Sequence, residues 1–282
     1  MGKRQPCGPP VATAALKVTD PRMTADQHNP TRPVEAIILA AGKGTRMNGD
    51  RAKVLFSVAD RPMIHWVLDA CEAAGSRRQV VVIGHDAQQV RRELRDRDHV
   101  DFVEQTEQRG TGHAVQQADP LLADRNVDLL VLCGDGPLIR GETLQRLLDA
   151  HRATGAAATL ASSTLADPHG YGRIVRDDAG RFCRIVEESD ADEAVRALGE
   201  INPSYYCFRA AALFDALAQV QSNNAKGEYY LTDVFAILLA AGERVEVLEA
   251  VAPQDVLSIN TPADLAEVDA VLRRRLGMAV SQ

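Results

Sequence analysis

The chain has 282 residues, 45% hydrophobic and 25% charged, the balance of an ordinary soluble globular protein of one or two domains. Lys+Arg 32 against Asp+Glu 39 gives a formal net charge of −7, which argues against a broad basic surface for nucleic acid but leaves room for a local basic pocket. The five cysteines (Cys7, Cys71, Cys133, Cys183 and Cys207) form no C-x-x-C pair, which argues against a disulfide framework or a zinc site and fits a reducing cytoplasm.

The first thirty-odd residues are rich in Pro, Thr and charge, so residues 1–33 read as a disordered tail with no secretory segment. From Val34 onward, short apolar runs alternate with amphipathic stretches. Glu35–Ala41, Gln79–Gly84, Asp101–Glu104 and Asp128–Cys133 read as buried strands; Met63–Ala74, Ala87–Arg95, Thr111–Leu122 and Glu142–Ala153 read as helices. This alternation predicts βαβ units around a mostly parallel sheet. The second half changes character. Ala157–Ser163, Arg173–Arg176, Cys183–Glu187 and Tyr205–Phe208 predict an antiparallel or mixed insertion beside that sheet. Helices Ala210–Gln221 and Asp233–Ala241 follow, then strands Val245–Ala250 and Val256–Asn260. A last helix opens at Thr261-Pro262, an N-cap with proline at the first helical position, and runs to Leu276. The domain is expected over residues 34–276, with 277–282 as a tail. The longest apolar runs, Ala36–Ala41 and Leu129–Cys133, are far below the ~20 residues of a spanning helix, so no membrane association is expected.

Four regions bring together residues suited to chemistry. Leu39-Ala40-Ala41-Gly42-Lys43-Gly44-Thr45-Arg46-Met47 leaves the first strand; its glycines can aim backbone N–H groups at an anion, with Arg46 and Lys53 as phosphate partners. The plainer reading is a tight turn with two surface cations. The spacing is neither a P-loop nor a dinucleotide fingerprint. Gln105 to Ala114 couples amide side chains suited to a base edge with Gly110 and Gly112 at a helix start, or else is a polar loop with a capping threonine. Asp135 follows a buried strand, where it is either a hard oxygen ligand for Mg²⁺ or a loop cap before Pro137; Asn260 is a second oxygen ligand or an N-cap. Gly172, Glu187, Asn202, Tyr230 and Thr232 lie in segments whose groups suit sugar hydroxyls or are simply solvated turns.

In order, these motifs are Leu-Ala-Ala-Gly-Lys-Gly-Thr-Arg-Met, Lys-Val-Leu, Gln-x-Gly-Thr-Gly-His-Ala, Gly-Asp-x-Pro-Leu, Gly-Tyr-Gly-Arg-Ile, Ile-Val-Glu, Glu-Ile-Asn and Gly-Glu-Tyr-Tyr-Leu-Thr-Asp. The set resembles the uridylyltransferase half of bacterial N-acetylglucosamine-1-phosphate uridylyltransferase, within the sugar nucleotidyltransferase superfamily, over roughly Val34 to Leu276. The resemblance implies an α/β, Rossmann-like nucleotidyltransferase fold, with a mostly parallel central sheet, helices on both faces and a mixed β insertion for the sugar. It implies Mg²⁺-dependent transfer of UMP from UTP to N-acetylglucosamine 1-phosphate, giving UDP-N-acetylglucosamine and pyrophosphate. Carried over by position, Leu39, Ala40, Ala41, Gly42, Gln105, Gly110 and Thr111 would bind the nucleotide. Arg46 and Lys53 would contact phosphates, Asp135 and Asn260 would ligate Mg²⁺, and Gly172, Glu187, Asn202, Tyr230 and Thr232 would position the sugar. The nucleophile is already anionic, so His113 is not assigned as a base.

The sequence also departs from the family. The hexapeptide repeats of its acetyltransferase half are absent, so that activity is not predicted and the trimer built on that half is not carried over, while a homo-oligomer stays open. Ala52 replaces a proline, Phe56 a histidine and Gly136 an apolar residue; Pro203-Ser204 follows Asn202 where the family has a glycine. Ser204 adds a side chain and a hydroxyl beside the expected sugar site. Two alternatives therefore stand beside the leading reading: a nucleotidyltransferase for a different sugar 1-phosphate, and a non-catalytic sugar-nucleotide-binding regulatory subunit.

Overall fold

The computed structural model describes residues 32–44, 47, 51–123 and 126–279. In chain order the elements are β1 (Val34–Ala40), β2 (Ser57–Val58), β3 (Arg61–Pro62), α1 (Met63–Ala73), β4 (Ser76–Ile83), α2 (Ala87–Glu93), β5 (Val100–Glu104), α3 (Thr111–Gln116), α4 (Asp119–Leu122), β6 (Asp128–Cys133) and α5 (Gly141–Thr154). Then come β7 (Ala158–Thr164), β8 (Gly172–Arg176), β9 (Phe182–Val186), α6 (Glu193–Arg196), β10 (Glu200–Asn202), β11 (Tyr205–Arg209), α7 (Ala210–Leu217), α8 (Asp233–Ala240), β12 (Val245–Glu249) and α9 (Pro262–Leu276). The expected tail over residues 1–33 lies outside the described residues, apart from Arg32 and Pro33.

Ten strands form one sheet among the described residues, in the order β5-β4-β1-β6-β11-β7-β10-β8-β9, with β12 also paired to β7. The β5-β4-β1-β6 stretch is parallel, as the strand–helix alternation predicts. From β11 onward the pairing turns antiparallel, except for β12 on β7. β7 ties the two regions together, pairing β11 at Ala158–Leu160 and β10 at Ser163 and Thr164. Successive side chains point to opposite faces of a strand. Ile38 therefore joins the core cluster that holds Leu68 of α1, Leu147 of α5 and Leu272 of α9, while Ile37 joins the one that holds Val115 of α3, Phe214 of α7 and Phe235 of α8. Burying each such side chain contributes about 1.5–3 kcal/mol.

Some expectations change. The helix expected over Thr111–Leu122 is broken into α3 and α4, because Pro120 near the start of α4 carries no N–H and restricts Asp119 before it. The strand expected over Val256–Asn260 does not form. A 3₁₀ turn over Pro253–Asp255 leaves Val256 in the helical region at φ −86°, and the chain continues irregularly, with Ile259 fully buried and its N–H donated to the Asp135 carbonyl. The hairpin β2–β3 turns through Ala59 and Asp60 at φ 48° and 63°, without the glycine that marks such turns in a sequence. α9 holds that turn: Asp269 accepts from the Ala59 N–H at 2.7 Å and Arg273 pairs with Asp60. Thr261 caps α9 with a complete capping box to Asp264, as its sequence predicts. Gly277 closes the helix at φ +68°, and Met278 packs against the core.

Candidate active site

Open α/β sheets bind ligands beyond the carboxyl ends of their parallel strands. Here β1 ends in Ala41-Gly42, β5 in Gln105 and β6 in Cys133-Gly134-Asp135, and all three ends open into one cleft. One arm, of about 530 Å³, runs between the loop after β1 and the start of α3. A second, of about 400 Å³, runs between β8, β10 and the segment before α9. Both arms touch Cys133, Asp135 and Asn260. A side pocket of about 140 Å³ opens beside them, over Leu39, Glu187, Ser204, Tyr230 and Thr232.

The first arm holds every sequence-predicted nucleotide residue: Leu39, Ala40, Ala41, Gly42, Gln105, Gly110 and Thr111. Gly110 sits at φ +111°, and a Cβ there would lie 2.5 Å from the Tyr229 carbonyl oxygen, so only glycine lets this loop dock on the segment before α8. The dock is sealed by Gly112 N–H to Tyr229 O at 2.7 Å and by Leu231 N–H to the Thr111 hydroxyl at 3.0 Å. Gln105 is buried, with its Nε2 3.0 Å from both Gly110 O and His113 Nδ1. Burial, then the Arg109 charge, lowers the His113 pKa, so the ring is neutral near pH 7 and orients Gln105. Gln108, which opens the Gln-x-Gly-Thr-Gly-His-Ala motif but carries no role in the sequence analysis, donates to Ala41 O at 2.6 Å.

At the junction, Lys53 Nζ lies 2.5 Å from Asp135 Oδ2 and 2.9 Å from Asn260 Oδ1. These two oxygens come from the end of β6 and from the segment before α9, and they converge on one cation. Such a hard, oxygen-only donor pair suits a divalent ion that also binds phosphate. Asn260 is held by its own N–H to Asp264 at 2.9 Å. Arg46 lies outside the described residues, so Lys53 alone of the two expected phosphate contacts is placed in the cleft.

The second arm and the side pocket hold the expected sugar residues. Gly172, Glu187 and Asn202 line the arm; Glu187, Tyr230 and Thr232 line the pocket. The Thr232 hydroxyl donates to Glu187 Oε1 at 2.9 Å. Burial raises the Glu187 pKa, and this hydrogen bond partly offsets the shift. Tyr230 OH donates to Asp190 at 3.2 Å. Asn202 is buried; its Nδ2 donates to Tyr206 OH at 2.7 Å and its Oδ1 accepts the Ser204 N–H at 3.1 Å. Ser204 lines both the arm and the pocket at φ +64°, a left-handed conformation that is uncommon for a residue with a Cβ. Cys133 and Lys226, which lie outside the sequence motifs, also reach the cleft, as does Glu228, which belongs to the Gly-Glu-Tyr-Tyr-Leu-Thr-Asp motif without an assigned role. Lys226 and Glu228 flank the glycine that opens the Gly-Glu-Tyr-Tyr run, which was a usable signal; Cys133 carried none. Among the described residues, no helix is long and apolar enough to cross a membrane.

The nucleotidyl transferase family model matches residues 35–257. Among curated relatives, the bifunctional protein GlmU of Geobacter metallireducens is 46% identical over 241 residues, 86% of this chain and 51% of that protein. That of Pelotomaculum thermopropionicum is 48% identical, over 86% of this chain and 52% of its own. That of Desulfotalea psychrophila is 45% identical over 243 residues, 86% of this chain and 71% of its own. The chain thus spans about half the length of the first two. Among solved structures, a UDP-glucose pyrophosphorylase complexed with UDP-glucose superposes with a TM-score of 0.70 at 15% identity, over 87% of this chain and 100% of that one. That likeness shows the fold. The family match runs from β1 to the segment before α9 and takes in Lys53, Asp135, Glu187 and Asn202, so the chain belongs to the nucleotidyl transferase family.

Proposed function

We propose that the protein transfers UMP from UTP to N-acetylglucosamine 1-phosphate, releasing pyrophosphate. The observation that carries this reading is the two-armed cleft, whose arms meet at Lys53, Asp135 and Asn260. A nucleotide in one arm and a sugar in the other would bring their phosphates together at that junction. The nucleotidyl transferase family match and the relatives' 45–48% identity over 86% of the chain support the reaction class.

The chemistry needs no general base. An oxygen of the sugar phosphate, already anionic, forms a bond to the α-phosphorus of UTP; the α–β bridging bond breaks, and its electron pair leaves with pyrophosphate. Two polyanions must meet in line, so catalysis rests on charge neutralisation and alignment. Leu39 to Gly42, Gln105, Gly110 and Thr111 hold the base end. Lys53, with Arg46, contacts the phosphates. Gly172, Glu187, Asn202, Tyr230 and Thr232 orient the sugar. Enzymes of this family generally use a divalent metal. We infer Mg²⁺, held by Asp135 and Asn260, where it would screen phosphate charge. We place the activity in the cytoplasm, in keeping with free thiols at Cys71, Cys133 and Cys207, although Cys183 is disulfide-bonded, against the expectation from cysteine spacing.

Pyrophosphate release with Mg²⁺ tests the reading, pairing UTP, CTP, dTTP and GTP with N-acetylglucosamine, glucosamine, glucose and N-acetylgalactosamine 1-phosphates. Preference for UTP with N-acetylglucosamine 1-phosphate is expected. UTP with a different sugar would move the sugar assignment. Folded protein that turns over no pair overturns the reading.

A further inference from the structure

Among the described residues, Lys53 is the one lysine or arginine in contact with the junction of the two arms. The Lys53 ammonium already sits on Asp135 at 2.5 Å, so its charge is matched before any substrate arrives. Glu187 and Glu228 also face the cleft or its side pocket. Two phosphate-bearing substrates brought there would repel each other and these carboxylates, and a further cation beside Mg²⁺ and Arg46 would lower that repulsion. Among the described residues lining the nucleotide arm and the side pocket, that further cation is Lys226.

The position of Lys226 is built, not incidental. Asn224 Oδ1 accepts the Lys226 N–H at 3.2 Å and the Glu228 N–H at 3.1 Å, and Asn224 Nδ2 donates to Glu228 O at 2.6 Å. Gly227 makes the turn at φ +65°. The next residue back, Ala225, donates its N–H to Asp190 at 2.8 Å, and Asp190 also accepts from Tyr230 OH. This turn holds the lysine beside both the nucleotide arm and the pocket that contains Glu187 and Thr232. Its charge is felt at Glu187, where it opposes the effect of burial, so the ammonium acts on the sugar side of the junction. No ion pair holds that ammonium among the described residues, in contrast to Lys53.

We propose that Lys226 binds the phosphate of the sugar 1-phosphate. The inference rests on the function proposed above and names the group that would hold its nucleophile. Lysine serves as a mobile point charge, suited to a phosphate that must settle against a second anion.

The test compares wild type with Lys226→Met and Lys226→Arg. Lys226 is exposed, and its backbone bonds do not depend on the side chain, so both variants should fold. In steady state, Lys226→Met should raise KM for N-acetylglucosamine 1-phosphate at least about tenfold, leave KM for UTP within about twofold, and be largely rescued by Lys226→Arg. Calorimetric titration with N-acetylglucosamine 1-phosphate, and separately with UTP, should show the same selective loss. Unchanged sugar phosphate affinity in Lys226→Met overturns the assignment, as does an equal loss for both substrates. Wild type that binds the sugar phosphate without releasing pyrophosphate would overturn the proposed reaction and leave the lysine assignment readable in the titration. Wild type that binds no sugar phosphate overturns both.

Discussion

The Lys53 ammonium and the Asp135 carboxylate stand 2.5 Å apart across 82 residues of sequence, with the Asn260 side-chain oxygen 2.9 Å from the same nitrogen. Three separate chain segments are thereby pinned to one point beyond the carboxyl end of β6. Asp135→Ala leaves Lys53 without its counter-charge and removes one of two oxygen donors. Pyrophosphate release should fall at least about a hundredfold. The fold should survive, because Asp135 sits at the rim of the cleft with its side chain 24% exposed. Chelation should likewise stop the wild-type reaction, and added Mg²⁺ should restore it. Near-normal turnover in Asp135→Ala, with an unchanged metal requirement, would remove this residue from the metal site.

Much of this junction was legible because its residues follow strands that announce themselves. Asp128–Cys133 is an uninterrupted apolar run with a turn directly after it, which places Asp135 at a strand end. The sequence predicts Asn260 as the last residue of a strand, Val256–Asn260, but it ends an irregular segment that reaches the cleft through the Ile259 N–H on the Asp135 carbonyl. That contact spans more than a hundred residues, and no local pattern encodes it. The same limit hid β10, whose three residues Glu200–Asn202 are too few to show alternation and take their strand form from β7 and β8 on either side. It also hid Lys226, whose role depends on an Asn224 turn seen only once folded.

Glu187 gives the site a pH dependence with a definite sign. Burial raises its pKa above the ordinary carboxylate range. A carboxylate that accepts from sugar N–H and O–H groups must be ionised. Binding of the sugar phosphate should therefore weaken as pH falls through this raised pKa, at a pH where an exposed glutamate would still be charged. For stability the sign is opposite. Between the ordinary and the raised pKa the folded protein binds more protons than the unfolded chain, so stability contributed by neutral Glu187 is lost as pH rises through that window. Glu187→Gln should flatten both profiles. KM–pH curves and melting temperatures check this; an unaltered acid limb of the KM profile in Glu187→Gln would assign it to another group.

Ser204 carries backbone strain beside the sugar arm. At φ +64° a residue with a Cβ pays about 1–2 kcal/mol that glycine does not. Its backbone N–H supports Asn202, and its hydroxyl bears on the Cys133 thiol and the Tyr206 phenol at the wall shared by the arm and the side pocket. Ser204→Gly should therefore cost little stability, or gain up to about 1 kcal/mol, while opening that wall. The ratio of kcat/KM between N-acetylglucosamine 1-phosphate and glucose 1-phosphate should shift by about tenfold or more, with KM for UTP unchanged. An identical ratio in the variant would show that this serine plays no part in sugar choice.

At the opposite end of β6, a buried histidine beside a buried carboxylate should make the fold sensitive to acid. The Asp128 carboxylate is wholly buried and accepts from Arg32 Nε and Arg152 Nε, each at 2.8 Å. His151, equally buried, has its Nδ1 3.0 Å from the Thr159 hydroxyl and its Nε2 3.7 Å from Asp128. Burial depresses the His151 pKa to about 4, against an opposing pull from Asp128 and with further lowering from the nearby arginines. The imidazole is thus neutral in the fold at pH values where the unfolded chain is protonated. Between its ordinary value near 6.5 and about 4, the unfolded state binds the extra proton, so stability present above 6.5 is lost as pH falls. The slope is about 1.4 kcal/mol per pH unit at most. His151→Asn should lower stability at pH 7 through the lost packing and Thr159 contact, and it should also flatten the decline between pH 6.5 and 4. Denaturant melts at half-unit steps over that range separate the two effects: a wild-type slope that persists unchanged in the variant would place the acid-sensitive group elsewhere.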